Sequence, residues 1–212
     1  MYQTSQFEEK RAEVMHQLIC AHPLATLVTL AGEGLTANHI PFEIDPHPAP
    51  FGTLRGHVAR ANPIWRDHSA AHGALAVFQG PQLYVTPSWY ATKKETGKVV
   101  PTWNYAVVHA QGPLRVIDDA VWLRDFLETL TKRHEGKRAV PWKVSDAPGD
   151  YIARMLQEIV GIEIPIASLV GKWKVSQNRP AADREGVALG LEGSEGESAA
   201  AMALLVRQAM KR

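Results

Sequence analysis

Apolar and polar residues alternate in short runs through the first two thirds of the chain, with turn residues between the runs. Residues 24–30 are apolar and β-branched, and Ala31-Gly32-Glu33-Gly34 reads as a hairpin turn into a second strand over 35–44. Pro46, Pro48 and Pro50 then force a loop. A third strand is expected over 53–58 and a short helix over 60–68. Residues 74–78 and 83–86 read as two strands joined by Gly80-Pro81. The Lys-rich stretch 91–99 reads as a solvated, mobile loop. A long strand over 104–117 places Tyr105, Val107 and His109 on one face and Ala106, Val108 and Ala110 on the other.

Helical spacing appears at the ends. Ser5 and Glu8 have the capping-box interval, and Phe7, Val14, Leu18 and Ile19 follow at helical intervals, so a first helix is expected to end near His22-Pro23. Asp118-Asp119 opens a second helix with Val121, Trp122, Phe126 and Leu130 on its apolar stripe, and a third covers 150–160. Residues 162–169 revert to strand character. Gly186 to Gly196 reads as a flexible linker before a last helix over 198–210. Strands joined by turns too short for βαβ crossovers predict an α+β protein with an antiparallel β-barrel core. The expected division is a barrel domain over 1–184 and a Gly/Ala-rich linker and helix over 185–212.

The length of 212 residues suits one large domain. A single cysteine, Cys20, excludes an internal disulfide and a cysteine-based zinc site. Lys+Arg 23 against Asp+Glu 22 lacks the basic excess of a DNA-wrapping protein. No apolar run approaches the roughly 20 residues of a membrane span, and charge interrupts the first apolar stretch, so a soluble cytoplasmic protein without a membrane anchor is expected. His68 and His72 have a ligand-like spacing, but no third ligand is evident and no metal is expected. Nucleophile elbow, P-loop and dinucleotide-binding glycine patterns are absent from the sequence.

His39, His57 and His109 fall inside three predicted strands, read as neighbours that share a polar pocket. Four segments mix aromatic rings, cations, amides and Gly or Pro: Arg55-Gly56-His57-Val58-Ala59-Arg60-Ala61-Asn62-Pro63, Phe78-Gln79-Gly80-Pro81 with Pro87-Ser88-Trp89-Tyr90, Val100-Pro101-Thr102-Trp103-Asn104-Tyr105, and Gly171-Lys172-Trp173-Lys174-Val175-Ser176-Gln177-Asn178-Arg179. Flat apolar walls, amides and cations are what an aromatic heterocycle bearing a phosphate requires.

In this order the segments resemble the PaiB family of negative transcriptional regulators, classed with FMN-binding proteins. The resemblance runs from Tyr2 to about Arg179, and departs at Thr4, where a proline is expected. It implies a six-stranded antiparallel Greek-key split β-barrel of the FMN-binding superfamily with flanking helices, a homodimer with flavin at the subunit interface. It also implies FMN-binding roles for His39, His57, Arg60, Asn62, Trp103, Asn104 and Lys172. His57 and Arg60 resemble the strand end and turn that hold the phosphate. Trp103, Asn104 and Lys172 resemble segments that close the site. The commoner superfamily pattern has two adjacent cations, whereas Arg60-Ala61-Asn62 offers one cation and one amide, so Lys172 is a further candidate for the phosphate.

The expected function is therefore an FMN-binding homodimer acting as a negative transcriptional regulator. The alternatives are a flavin-dependent oxidoreductase acting on a small molecule and a haem-binding split barrel with His39, His57 or His109 as axial ligand. Direct DNA reading is disfavoured, because the helices over 119–133 and 150–160 lack a tight turn between them and the second carries a single arginine.

Overall fold

The computed structural model describes residues 1–211, and its chain groups into two compact units, each assembled from separated stretches. The second unit, Ile19–Phe78 with His109–Leu169, is built on the alternation that the sequence displays. β2 (Leu24–Ala31) and β3 (Gly34–Pro41) form the expected hairpin, in register from Leu24 opposite Pro41 to Ala31 opposite Gly34. The second strand ends early because Phe42 turns fully into the core, and β4 (Glu43–Asp45) belongs to another sheet. That sheet has the order β4-β5-β9-β8, with β5 (Thr53–Ala59), β8 (Arg115–Ile117) and β9 (Ile159–Pro165).

Helix α4 (Ala120–Glu135) starts where the sequence indicates, with the Asp119 carboxylate accepting from the Trp122 amide at 2.8 Å. It lies against β5 and β9. The close approach requires Gly161, since a Cβ there would stand 2.4 Å from the Trp122 ring. Trp122 stacks on Phe126 with 5.3 Å between centroids. α5 (Gly149–Gln157) leads into β9. The helix expected over 60–68 shrinks to α2 (Ile64–Asp67), because the Asn62 side chain accepts the Ile64 amide and holds the preceding residues in a turn.

The first unit, Met1–Leu18, Gln79–Val108 and the chain from Val170 onward, departs more from expectation. Ser5 and Glu8 form no capping box. Ser5–Phe7 is a single 3₁₀ turn, and β1 (Glu8–Glu9) pairs with β10 (Ser168–Lys174), Glu8 opposite Lys172, before α1 (Ala12–Ala21) begins. The two strands expected on either side of Gly80-Pro81 are one strand, β6 (Ala74–Val85). Proline's fixed φ fits an extended chain, and Gly80 is needed for space, since a Cβ there would lie 2.9 Å from Leu18. The long strand over 104–117 is divided at Pro113 into β7 (Thr102–Gly112) and β8. The loop expected over 91–99 contains α3 (Thr92–Thr96), whose N-terminus is held by Asp183, accepting from the Thr92 amide at 3.0 Å and its hydroxyl at 2.8 Å.

The expected linker from Gly186 to Gly196 is largely helical: α6 (Ala181–Glu192) runs through it, and α7 (Glu197–Met210) packs on α6. Val187, Ala188, Leu191, Met202 and Val206 are fully buried. Two of the segment's four glycines, Gly186 and Gly190, face Trp89. The larger sheet has the order β1-β10-β7-β6-β2-β3. A six-stranded antiparallel sheet, a second sheet and flanking helices bear out the α+β expectation.

Candidate functional site

His39, His57 and His109 do not lie on hydrogen-bonded neighbouring strands. β3 and β7 are separated by β6 and β2 in the larger sheet, and β5 lies in the smaller one. His39 is exposed opposite Thr26. His57 is covered by α4, its ring 5.8 Å from that of Phe126 at 66°, and its buried Nδ1 has no hydrogen-bond partner among the described residues. Burial disfavours the imidazolium and lowers the pKa of His57 below the ordinary 6.5, and that of half-buried His109 likewise.

A depressed histidine pKa leaves the unfolded chain holding more protons below pH 6.5. Stability therefore falls as pH drops through 6.5 toward the folded-state value, and is unaffected by this group at higher pH. His57→Phe is expected to flatten that acid-side slope relative to wild type in urea unfolding measured at several pH values. An unchanged slope assigns the titration to other groups.

Arg60 is committed within its own unit. Nη1 and Nη2 donate to the Asp118 carboxylate at 2.9 and 2.6 Å, Nε donates to the Gln157 carbonyl at 2.6 Å, and Nη2 also donates to the Ile159 carbonyl at 3.0 Å. Asp118 accordingly holds a pKa below the usual carboxylate range, and its charge neutralises the guanidinium. Asn62 donates to Asn38 at 2.8 Å at the wall of a groove of about 570 Å³ that Thr36 and His68 also line. The residues read as a phosphate turn thus hold β5, β9 and the start of α4 together.

The first unit gathers the other three predicted residues. Asn104 is fully buried, its amide donating to the Ser176 hydroxyl at 2.9 Å. Ser176 has φ 66°, in the left-handed region that non-glycine residues rarely enter. Its conformation turns the chain sharply after β10, and the Arg179 amide donates back to the Ser176 carbonyl at 3.0 Å. Trp103 is 49% exposed, its indole N–H donating to Gln82 at 3.0 Å and its ring 6.2 Å from that of Tyr84, itself 47% exposed.

Lys172 is 8% exposed; its ammonium donates to the Tyr2 carbonyl at 3.0 Å and lies 5.6 Å from the ring centres of Tyr2 and Tyr105. Two residues on along the strand, Lys174 donates to the Thr102 hydroxyl and, at 2.7 Å, to the Trp103 carbonyl. Its pKa is lowered by burial first, then by the charges of Lys172 and Arg179. The Arg179 guanidinium stands over the Tyr90 ring at 4.6 Å. Lys174 and Arg179 belong to the fourth aromatic and cationic segment, outside the residues that the resemblance assigns to FMN. Alternation along β10 was the available signal, since it sets Lys172 and Lys174 on one face. Asp118, the partner of Arg60, had no signal at all.

The two sheets and their flanking helices form a split-barrel fold. The chain belongs to the family described as "putative FMN-binding domain", whose pattern matches residues 1–168. An uncharacterised protein of Emericella nidulans is 35% identical to it, over 98% of this chain and 97% of its own. The Bacillus subtilis protein named "Protease synthase and sporulation protein PAI 2" is 29% identical, over 100% of this chain and 99% of its own, so the resemblance to the PaiB family is borne out. Among solved structures, an FAD and haem binding protein from Mycobacterium smegmatis shares the fold with TM-score 0.54 at 17% identity, over 79% of this chain and 73% of that one.

Proposed function

We propose that this protein is an FMN-binding split-barrel regulator of the PaiB type, acting in the cytoplasm as a homodimer. The observation that carries the reading is the family match over residues 1–168. The regulatory role is supported by the printed name of the Bacillus subtilis relative, which refers to protease synthesis and sporulation. The residues present fit a flavin: Trp103 and Tyr84 offer exposed rings to a flat heterocycle, and cations stand beside them on β10. In this reading Trp103 and Lys172 touch the cofactor, while Asn104 holds the Ser176 turn behind them. A bound flavin supplies hydride or electron transfer.

The test is an absorption spectrum of the purified protein before and after adding FMN, with excess removed by gel filtration. Retained flavin absorbance at about one equivalent per chain is the expected result. A protein that never retains flavin overturns the reading, and a haem spectrum that survives the same column would replace FMN by haem. Light scattering on the same column is expected to give twice the chain mass, and the chain mass alone would remove the homodimer.

A further inference from the structure

We propose that the face of β10 and the following turn, bearing Lys172, Lys174 and Arg179, holds the phosphate monoester of the ligand. This deepens the flavin reading and moves the phosphate from the Arg60 turn, where the sequence resemblance puts it. In the first unit Lys172 and Arg179 each lie within electrostatic reach of Lys174, and none of the three has a carboxylate within ion-pair distance among the described residues. Glu8, opposite Lys172 in register, pairs with Lys10 at 3.3 Å. Asp183, four residues beyond Arg179, is occupied by Thr92.

A buried ammonium without a counter-charge is costly. Lys172 is such a group, and Lys174 beside it is repelled by both Lys172 and Arg179. An anion relieves all three charges at once. A phosphate monoester carries nearly two negative charges at neutral pH, and its three terminal oxygens accept from several cations. Arg60, by contrast, already has its anion in Asp118. The left-handed Ser176 turn carries the chain from Lys174 to Arg179, and strain of this kind concentrates at binding sites.

The experiment compares FMN with riboflavin by quenching of flavin fluorescence, and follows inorganic phosphate by ³¹P line broadening, in wild type, K174Q, R179Q and R60Q, with K174R as the charge-retaining variant. Far-UV circular dichroism checks that each variant is folded. FMN is expected to bind wild type at least about tenfold more tightly than riboflavin, since each charged hydrogen bond contributes on that order. K174Q and R179Q should each lose most of that advantage and the phosphate broadening, K174R should restore the broadening, and R60Q should leave both intact.

Equal affinity for FMN and riboflavin overturns the proposal, as does loss of FMN preference in R60Q alone. If wild type binds neither flavin yet broadens phosphate in a Lys174-dependent way, the flavin reading fails and this site stands. If it binds neither flavin nor phosphate, both fail.

Discussion

Phe42→Ala is expected to lower the stability of the second unit by about 3–5 kcal/mol, the usual consequence of emptying a buried phenylalanine site. The ring is fully buried, edge-on to Phe78 with centroids 6.3 Å apart and planes at 68°. Such pairs contribute roughly 0.5–1.5 kcal/mol beyond the area they bury. The surroundings have little freedom to collapse. A Cβ on Gly56 would already stand 3.0 Å from the Phe42 ring, and the Phe42 amide is held by the Pro23 carbonyl at 2.9 Å between β3 and β4. Urea unfolding followed by tryptophan fluorescence reads the loss as a lower midpoint. Leu35→Ala, at a site 78% exposed, should stay within about 0.5 kcal/mol of wild type. A Phe42→Ala midpoint equal to that of Leu35→Ala would contradict the packing described.

Gly186→Ala separates two effects of opposite sign. Helix propensity alone predicts that alanine stabilises α6 by about 1 kcal/mol. Packing predicts the reverse, because a Cβ at Gly186 would lie 2.0 Å from the backbone carbonyl oxygen of Trp89. A carbonyl cannot yield as a side-chain tip does, so the 3₁₀ turn Pro87–Trp89 or the helix must move. Overpacking of this kind destabilises by roughly 1–3 kcal/mol, and a net loss is expected. Gly190→Ala should behave similarly, since its Cβ would meet the Trp89 ring at 2.3 Å. Gly193→Ala has no contact closer than 3.5 Å and serves as the control. A higher unfolding midpoint for Gly186→Ala would show that Trp89 is not seated on α6.

Local sequence chemistry carried far where the cause of a structure is local. The alternation over 24–30 is enough to define a half-buried strand, and the Ala31-Gly32-Glu33-Gly34 turn follows from its glycines. Asp119 caps α4 through an oxygen three residues from its donor. The four aromatic and cationic segments are legible in their order as a family resemblance, and the family match over residues 1–168 spans the first three of them.

Local pattern misleads where one stretch of chain needs a distant partner. Gly186 and Gly190 have the composition of a linker, and only Trp89, about a hundred residues earlier, explains why α6 needs glycine there. The Ser5 to Glu8 spacing suits a capping box, yet β10 offers Glu8 and Glu9 strand hydrogen bonds that replace it. Arg60 looked free in sequence because Asp118 lies 58 residues away.

What the sequence determined by itself was therefore the class of protein: strands too closely spaced for crossovers, helices at the ends, and rings and cations in one recognisable order. Only the tertiary structure decided which cations keep a net charge. That depends on whether a carboxylate from elsewhere in the chain arrives within hydrogen-bond distance, as Asp118 does at Arg60 and no described residue does at Lys174. Charge type is a property of a residue, and neutralisation is a property of the fold.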